Sequence, residues 1–203
     1  MSPFRAPYIS QADLETRAEA FLQRLNAARQ IPVPIERMIE SMGIDIVPVP
    51  ELFRNFQIDG WTTHDLKEIY VDEHAYDSVE VRFRFTLAHE VGHIELHAAA
   101  FKPYRFKTVA QWQSFMEDMD DKQREYLEHH ANEFAARVLM PRQELVRVHK
   151  SCSDIVLRQV PRLRSDPAGF RHFVALCLSK RFNVSTEAAR IRISNEPSLK
   201  DLP

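Results

Sequence analysis

The sequence predicts an α+β protein in which amphipathic helices surround one small sheet. Apolar residues recur at helical spacing before residue 30 and again beyond residue 80. Between them lie three short β-type runs separated by proline, glycine and polar residues. At 203 residues and 44% hydrophobic content, the chain can form one well-buried core. We therefore expect a single domain, to which a smaller C-terminal part can attach.

Composition and charge exclude several functional classes. The formal net charge of -2 gives no global attraction to nucleic acid, so direct binding to DNA or RNA is not expected. Only Cys152 and Cys177 are present, without a CxxC pair, so we expect neither a disulfide framework nor a thiolate metal site. The chain contains no long apolar run, and its N-terminus lacks the apolar segment of a signal peptide. These features predict a cytoplasmic protein with no membrane-spanning segment.

Two helices are predicted before the sheet. Ser10 is a suitable N-cap for a helix over residues 11–29, whose apolar stripe would pack on the core. Pro34 can open a second helix that ends near Met42, where Gly43 supplies the left-handed residue that often follows a helix. Both helices therefore precede the first β-type run.

Three β-type runs follow, over residues 44–49, 57–62 and 68–71. We expect them to form one small sheet. The last run leads through a short acidic turn into the next helix, so this strand and that helix should be neighbours. Because 68–71 is the strand nearest to that helix in sequence, we predict it as the free edge to which an extended peptide can add.

The helix predicted from Arg82 to His97 carries the motif HExxH at His89, Glu90 and His93. One stripe of this helix contains Phe85, Ala88, His89, Gly92, His93 and Leu96. Side chains four residues apart lie about 5–6 Å from each other, so both imidazoles can reach one ion at about 2.0–2.1 Å. Ordinary buried histidines are the alternative, but two at this spacing favour zinc. Glu90, one residue round the helix, is placed to act as a general base.

A catalytic zinc commonly has three protein ligands, and the third should come from another segment. His97 lies about 12 Å along the helix axis from the first histidine of the motif, which excludes it. A later helix, predicted over residues 121–140, offers two carboxylates beside its apolar stripe. Glu128 is the better placed of the two, and Asn132 one turn further on can hydrogen-bond a ligand. Glu133 is the competitor.

A further helix is predicted between these two segments, because Thr108 and Gln111 are spaced as a capping box. Its apolar face would contain Val109, Trp112, Phe115, Met116 and Met119. An aromatic face at helical spacing is typical of core packing. The position of this helix between the metal-ligand segments also makes it a candidate wall of the cleft.

Two segments, RFRFTLAHEVGHIELH and EHHANEFAARVLMP, resemble the ImmA/IrrE family of bacterial zinc metallo-endopeptidases over residues 18–141. The resemblance implies a zincin-like fold with the HExxH helix packed on the small sheet and a helical C-terminal part. It also implies a complete set of site residues. These are the zinc ligands His89, His93 and Glu128, the general base Glu90, and Asn132 hydrogen-bonded behind the ligands.

The same resemblance implies hydrolysis of a peptide bond in a specific protein, with a helix-turn-helix transcriptional repressor as the substrate, cut in trans. The alternative is a non-proteolytic, zinc-containing regulatory protein that binds a repressor or DNA. The presence of Glu90 favours the enzyme, since a structural zinc site does not need a base. Five side chains are possible donors to the oxyanion: His129, His130, Tyr70, Tyr104 and Tyr126.

The C-terminal part is predicted to be helical, so we divide the chain into a metallopeptidase domain, 1–141, and an extension, 142–203, packed on the same domain. FRHFVALCLSKRFNVSTEAARIRI predicts two helices joined at residues 183–185, which resembles half of a helix-turn-helix. Residues 171–193 carry five Arg or Lys against one Glu. No base-reading helix is evident, so a helical hairpin that closes the core is favoured over a DNA reader.

Overall fold

The computed structural model describes residues 4–199, and within that range ten α-helices surround a three-stranded sheet. The helices are α1 (Gln11–Arg24), α2 (Ile35–Ser41), α3 (Leu52–Phe56), α4 (Glu73–Ser78), α5 (Glu80–Phe101), α6 (Val109–Asp118), α7 (Asp121–Leu139), α8 (Arg142–Gln159), α9 (Pro167–Phe182) and α10 (Thr186–Asn195). The strands are β1 (Asp45–Val49), β2 (Gly60–Thr62) and β3 (Glu68–Asp72). This architecture confirms the predicted α+β class. Among the described residues no helix is both long and apolar enough to cross a membrane.

Helix α1 begins where the sequence predicts but ends earlier. The Ser10 hydroxyl accepts a hydrogen bond of 3.1 Å from the backbone N–H three residues on, as an N-cap does. The buried face is the predicted one, with Leu14, Ala18, Phe21 and Leu22. The helix ends at Arg24 because Asn26, with φ 54°, adopts the left-handed conformation that a helix cannot continue through. Gly43, with φ 74°, follows α2 as predicted.

The three strands form one sheet in the order β1-β3-β2, with β1 parallel and β2 antiparallel to β3. The prediction that 68–71 is the free edge is therefore wrong, because β3 is hydrogen-bonded on both sides. A short turn joins β2 to β3 as a hairpin, and β1 occupies the remaining side of β3. The edge strand beside α5 is β2, which contacts that helix.

Two short helices, α3 and α4, are absent from the sequence prediction, and α4 occupies the place of the predicted acidic turn. The first turns of both helices are hydrogen-bonded to the same carboxylate. Asp72 accepts hydrogen bonds from the backbone N–H groups of Phe53 at 2.9 Å and Ala75 at 3.2 Å. Such caps satisfy donors that a helix start otherwise leaves open. Asp72 is buried, so this arrangement fixes the path of the chain into α5.

The long helices α5 and α7 pack against each other more extensively than any other pair of elements. Gly92 makes this close approach possible. A Cβ atom at that position would lie 3.0 Å from Ala131 Cα and 3.1 Å from Ala131 O on α7. Because real Cβ atoms rarely come this near to backbone, a side chain at Gly92 would push the helices apart. The glycine inside HExxH therefore sets the distance between the two functional helices.

The C-terminal helices pack on one another in sequence, α8 on α9 and α9 on α10. The predicted hairpin at residues 183–185 is confirmed, with Asn183 at φ 54° between its helices. The expectation of no disulfide is wrong. Cys152 of α8 and Cys177 of α9 are bonded across the helix pair, with their Cα atoms 5.8 Å apart. Sequence spacing did not reveal this pair, because it depends on how the two helices cross.

Buried ion pairs attach α10 to the first and seventh helices. Arg192, only 2% exposed, pairs with Glu196 at 3.1 Å and with Glu15 of α1 at 3.4 Å. Glu15 also pairs with Arg137 of α7 at 3.1 Å. One of the five basic residues in the hairpin therefore lies inside the protein. The apolar core is likewise continuous from α1 to α10, and the division of the chain at Pro141 stays a prediction.

Candidate metal centre

The two histidines of HExxH lie one helical turn apart on α5, with their rings facing the same space. His89 Nε2 and His93 Nε2 are 3.0 Å apart, and the ring centroids are 4.7 Å apart. Both side chains are mostly buried, with 16% and 11% of their surface exposed. Two imidazole nitrogens this close can be ligands of one metal ion.

Glu128 of α7 supplies the next oxygen atoms. Its Oε2 lies 3.2 Å from His89 Nε2, and its Oε1 lies 3.6 Å from His93 Nε2. Ligand atoms about 2.0–2.1 Å from a tetrahedral ion are about 3.3 Å from one another. The three observed separations bracket that value. These three residues are also the group of His, Cys, Asp and Glu side chains, among those the structure describes, that is close enough to hold a metal ion.

The competing carboxylate points elsewhere. Glu133 forms an ion pair with Arg137 one turn along α7 and accepts a hydrogen bond of 3.2 Å from Asn195 Nδ2 of α10. It is largely buried in these contacts, at 11% exposure. The structure therefore brings Glu128, and not Glu133, to the histidine pair. The role of Glu128 as a ligand stays a prediction.

The outward nitrogen of each histidine also has a partner. His89 Nδ1 lies 3.0 Å from Asn132 Oδ1, the contact expected from the spacing of Glu128 and Asn132. His93 Nδ1 lies 3.1 Å from Nδ1 of His97, which is fully buried behind it. An Nδ1–H that donates to such a partner keeps Nε2 available for a metal. Sequence reasoning excluded His97 as a ligand and missed this role, although its position four residues after His93 on one stripe was visible.

Glu90 lies buried between α5 and the edge strand β2. The Thr62 hydroxyl donates a hydrogen bond of 2.8 Å to its Oε2. Gly60 permits the close packing, because a Cβ there would lie 2.6 Å from Thr86 Cγ2 and 3.3 Å from Glu90 Cγ. Burial raises the pKa of Glu90 above its ordinary value, while His89 and the Thr62 hydrogen bond act in the opposite direction. Thr62 was not predicted, since no local pattern indicates which strand residue meets the helix.

The electrostatics of the cluster favour the protonation states that ligands need at His93 and Glu128, but not at His89. Burial lowers the pKa of His89, but the hydrogen bond and charge of Glu128 outweigh it and raise that pKa, which favours the charged imidazole. Burial, together with the charge of His89, lowers the pKa of His93 to about 4, so this imidazole is neutral at pH 7. Burial alone would raise the pKa of Glu128. The hydrogen bond from His89 and the nearby histidine charges outweigh it and lower that pKa to about 2. A neutral imidazole and an ionised carboxylate are both competent to bind a cation.

The cluster opens into a cleft of about 790 Å³. Strand β2 and the turn after it line one side, and α6 together with the end of α5 lines the other. No residue of α6 itself is buried, and Trp112 and Met116 of its apolar face line the cleft, which favours the cleft-wall interpretation. Met119, directly after the helix, is the buried member of the predicted face.

None of the five possible oxyanion donors is among the described residues that line this cleft: His129, His130, Tyr70, Tyr104 and Tyr126. Tyr70, for example, donates its hydroxyl to Glu68 at 3.0 Å. His64 and Arg124 do line the cleft, although no sequence pattern indicates a role for either.

A histidine pair on one helix and a carboxylate on a second helix are the arrangement with which zinc metallopeptidases hold their ion. The family model described as the IrrE N-terminal-like domain, Peptidase M78, matches residues 39–194. The chain belongs to this family, which confirms the resemblance found in the sequence. The match also extends past Pro141 through α8 and α9 and into α10.

A solved structure described as a Mycobacterium tuberculosis transcriptional regulator has a similar fold, with a TM-score of 0.55 and 17% sequence identity. The similarity covers 97% of this chain and 50% of that one, so the chain spans half the length of the regulator. At this identity the likeness concerns the fold alone. Comparison with curated proteins finds no significant match.

Proposed function

We propose that this chain is a zinc-dependent endopeptidase that hydrolyses a peptide bond in a specific protein, a helix-turn-helix transcriptional repressor. The observation that carries the proposal is the placement of His89, His93 and Glu128 around one point, with the Glu90 carboxylate on the adjoining face of α5. Membership of the Peptidase M78 family supports peptidase activity in general. A cytoplasmic location follows from the proposed substrate.

In this mechanism His89, His93 and Glu128 hold the ion, and Asn132 and His97 orient the two imidazoles through their Nδ1 atoms. Zinc bound there supplies a Lewis acid that polarises the scissile carbonyl and makes the attacking water more acidic. Glu90 takes the proton of that water and gives it to the leaving amine. The hydrogen bond from Thr62 fixes the carboxylate for both transfers.

The edge strand β2 is suited to hold the substrate backbone. It is hydrogen-bonded to β3 on one side, and its other side borders the cleft beside Glu90. An extended peptide that adds to this edge as a further strand presents its backbone to the metal. Binding of this kind requires a loop or a locally unfolded segment of the target. Cleavage should therefore fall at one or a few exposed sites.

We also propose that residues 1–141 contain the metallopeptidase domain and that 142–203 form a helical extension packed on it. The hydrogen bond between Asn195 and Glu133 and the ion pairs of Arg192 support this packing. The last four residues of the extension, 200–203, lie outside the described residues.

The test combines metal analysis with one isosteric variant. The purified protein should carry close to one zinc per chain, and His89→Ala or His93→Ala should lose it. Glu90→Gln should keep both metal and fold while hydrolysis disappears, because only the base is removed. A glutamine variant that cleaves at the wild-type rate would exclude Glu90 as the base.

The substrate is tested by incubating the enzyme with a helix-turn-helix repressor, sought first among the products of neighbouring genes, and, separately, with unfolded casein. We expect a few cuts in the repressor and little digestion of casein. Indiscriminate digestion of casein without preference for the repressor would remove the regulatory part of the proposal and leave the protease. Tight repressor binding without any cleavage would instead support the non-proteolytic alternative.

A further inference from the structure

A group of half-buried aromatic side chains gathers around α6 and the end of α5. Phe101, Phe106 and Phe115 all contact Trp112, with the first two rings centred 5.2 and 5.3 Å from the indole. Aromatic side chains of this size normally supply core area, yet none of these four is fully buried. Their exposed surface is therefore available to something other than the core.

Three of the four rings face the cleft of the metal centre. Phe101, Phe106 and Trp112 line it, whereas Phe115 packs behind them and does not. Met116 of α6 completes this wall. Phe101, Phe106 and Trp112 of the aromatic group thus contact the cleft, whereas Phe115 only packs against them.

Two small residues, Ala98 and Ala99, line this part of the cleft. Along α5 the lining continues from His93 through Ile94 and Ala98 to Phe101, which is about 10 Å of helix beyond Ile94. Ala98 contributes a single methyl group, and both it and Trp112 line the cleft of about 790 Å³. The pocket begins directly beside one of the proposed ligands.

Three charged residues are among the described residues that line this region, and each is exposed or already paired. Lys102 and Glu117 line the cleft but are exposed, and Arg124 is held by Asp121 and by a hydrogen bond of 3.0 Å to Met116 O. A charged side chain that entered between Ala98 and Trp112 would be dehydrated against aliphatic and aromatic atoms. An apolar side chain would gain from the same burial.

We propose that the pocket formed by Ala98, Phe101, Phe106, Trp112 and Met116 binds a large apolar side chain of the substrate, next to the bond that is cut. This inference rests on the proposed function and adds a substrate preference to it. On one side of the scissile bond the enzyme should prefer leucine, phenylalanine or methionine over alanine or a charged residue. Each missing methylene in an apolar pocket costs about tenfold or more. Leucine should therefore exceed alanine by at least about tenfold.

The experiment uses the zinc-loaded full chain and short peptides that vary only at the two positions flanking the scissile bond, among Leu, Phe, Ala and Asp. Cleavage is measured as kcat/KM with the wild type. Binding is measured separately by fluorescence anisotropy with Glu90→Gln, which needs no turnover. Each measurement is repeated with Trp112→Ala and Ala98→Leu, which change the pocket, and with Phe115→Ala, which removes a ring from the same aromatic group behind it.

We expect Leu and Phe to exceed Ala and Asp by at least about tenfold at one of the two positions. Trp112→Ala should reduce that ratio severalfold, Ala98→Leu should shift the preference toward Ala, and Phe115→Ala should retain it. Equal values for Leu and Ala in the wild type, or an unchanged preference in both pocket variants, would overturn the proposal.

The two arms separate this proposal from the proposed function. If no peptide is cleaved but Leu and Phe peptides bind selectively with the same dependence on Trp112 and Ala98, the pocket is supported and the peptidase fails. If cleavage occurs without a side-chain preference, the peptidase is supported and the pocket fails. Absence of both binding and cleavage would reject both.

Discussion

Glu128 and Glu133 lie five residues apart on α7, and their surroundings give them different roles. Glu128→Ala should weaken zinc binding by more than about 100-fold, because residues that only orient a ligand already contribute about 10–100-fold. Glu133→Ala should keep the metal and lower the free energy of unfolding by about 1–3 kcal/mol, since it removes partners of Arg137 and Asn195. Titration with a competing chelator and denaturant unfolding measure the two effects. Metal loss in the Glu133 variant alone would reverse the assignment.

Thr62 provides a test of how Glu90 is tuned. The base must be ionised to accept a proton, so activity is lost as pH falls through its pKa. Burial raises that pKa and the Thr62 hydrogen bond lowers it. Thr62→Val removes the hydrogen bond, so the acidic limb of the kcat/KM profile should move to higher pH. Thr16→Val, the same substitution on the exposed face of α1, is the control and should leave the profile unchanged. A limb that moves to lower pH would contradict this assignment.

At the level of single residues, the sequence could predict what lies on one helix. His89, Glu90 and His93 follow from a local spacing, and Asn132 from its distance of one turn from Glu128. Thr62 and His97 could not be assigned in the same way. The contact of Thr62 with Glu90 spans 28 residues and depends on which strand packs on α5. The role of His97 depends on the rotamer of His93.

The position of Gly92 at the crossing of α5 and α7 leads to a prediction about stability and zinc affinity. Replacing glycine by alanine inside a helix ordinarily stabilises a protein by up to about 1 kcal/mol. Here the added methyl would press on Ala131, so Gly92→Ala should destabilise by about 1–3 kcal/mol instead. Because Glu128 lies on the displaced helix, zinc affinity should fall as well. Thermal unfolding with and without zinc measures both, and a more stable variant with unchanged zinc affinity would refute the expectation.

At the level of elements, periodicity predicts long helices and fails for short ones. Helices α5 and α7 carry apolar stripes over several turns, and the sequence predicts both, with bounds within four residues of those in the structure. Helices α3 and α4 have five and six residues, too few to show a stripe, and their stability comes from the Asp72 caps. The edge strand was misassigned because strand order depends on nonlocal pairing. Helix α6 has the pattern of a core helix, but its apolar face lines a cleft.

Across the whole molecule, Arg192 joins the last helix to the first. Arg192→Met should reduce the free energy of unfolding by about 3 kcal/mol, because buried Glu196 loses one of its two cations and keeps only Arg142, at 3.0 Å. Arg190→Met, on the same helix, breaks an exposed pair with Glu187 and should have no measurable effect. Denaturant unfolding of both variants makes the comparison. Equal decreases in the free energy of unfolding would mean that the buried pairs stabilise the fold no more than the surface pair does.

The fold class could be predicted because it needs only the types of element and their order, and both are local properties. The ion pairs between Glu15 and Arg192 and the bond between Cys152 and Cys177 connect distant parts of the chain. Single-sequence patterns contain no information about such pairings. The C-terminal hairpin illustrates the difference, since its two helices were predicted but its buried charges were not.

The close approach of Gly92 to Ala131 suggests a more selective sequence pattern than the HExxH motif of α5 alone. HExxH alone specifies two ligands and a base, and some chains rich in histidine and glutamate contain it by chance. Two further positions show whether the two helices can touch. One is the fourth residue of the motif, which must be small, and the other is a small residue three positions after a carboxylate on a later helix. A sequence with a bulky residue at either place would hold its third ligand further from the histidine pair. Screening for both places together should therefore discard chance occurrences that the five-letter motif retains.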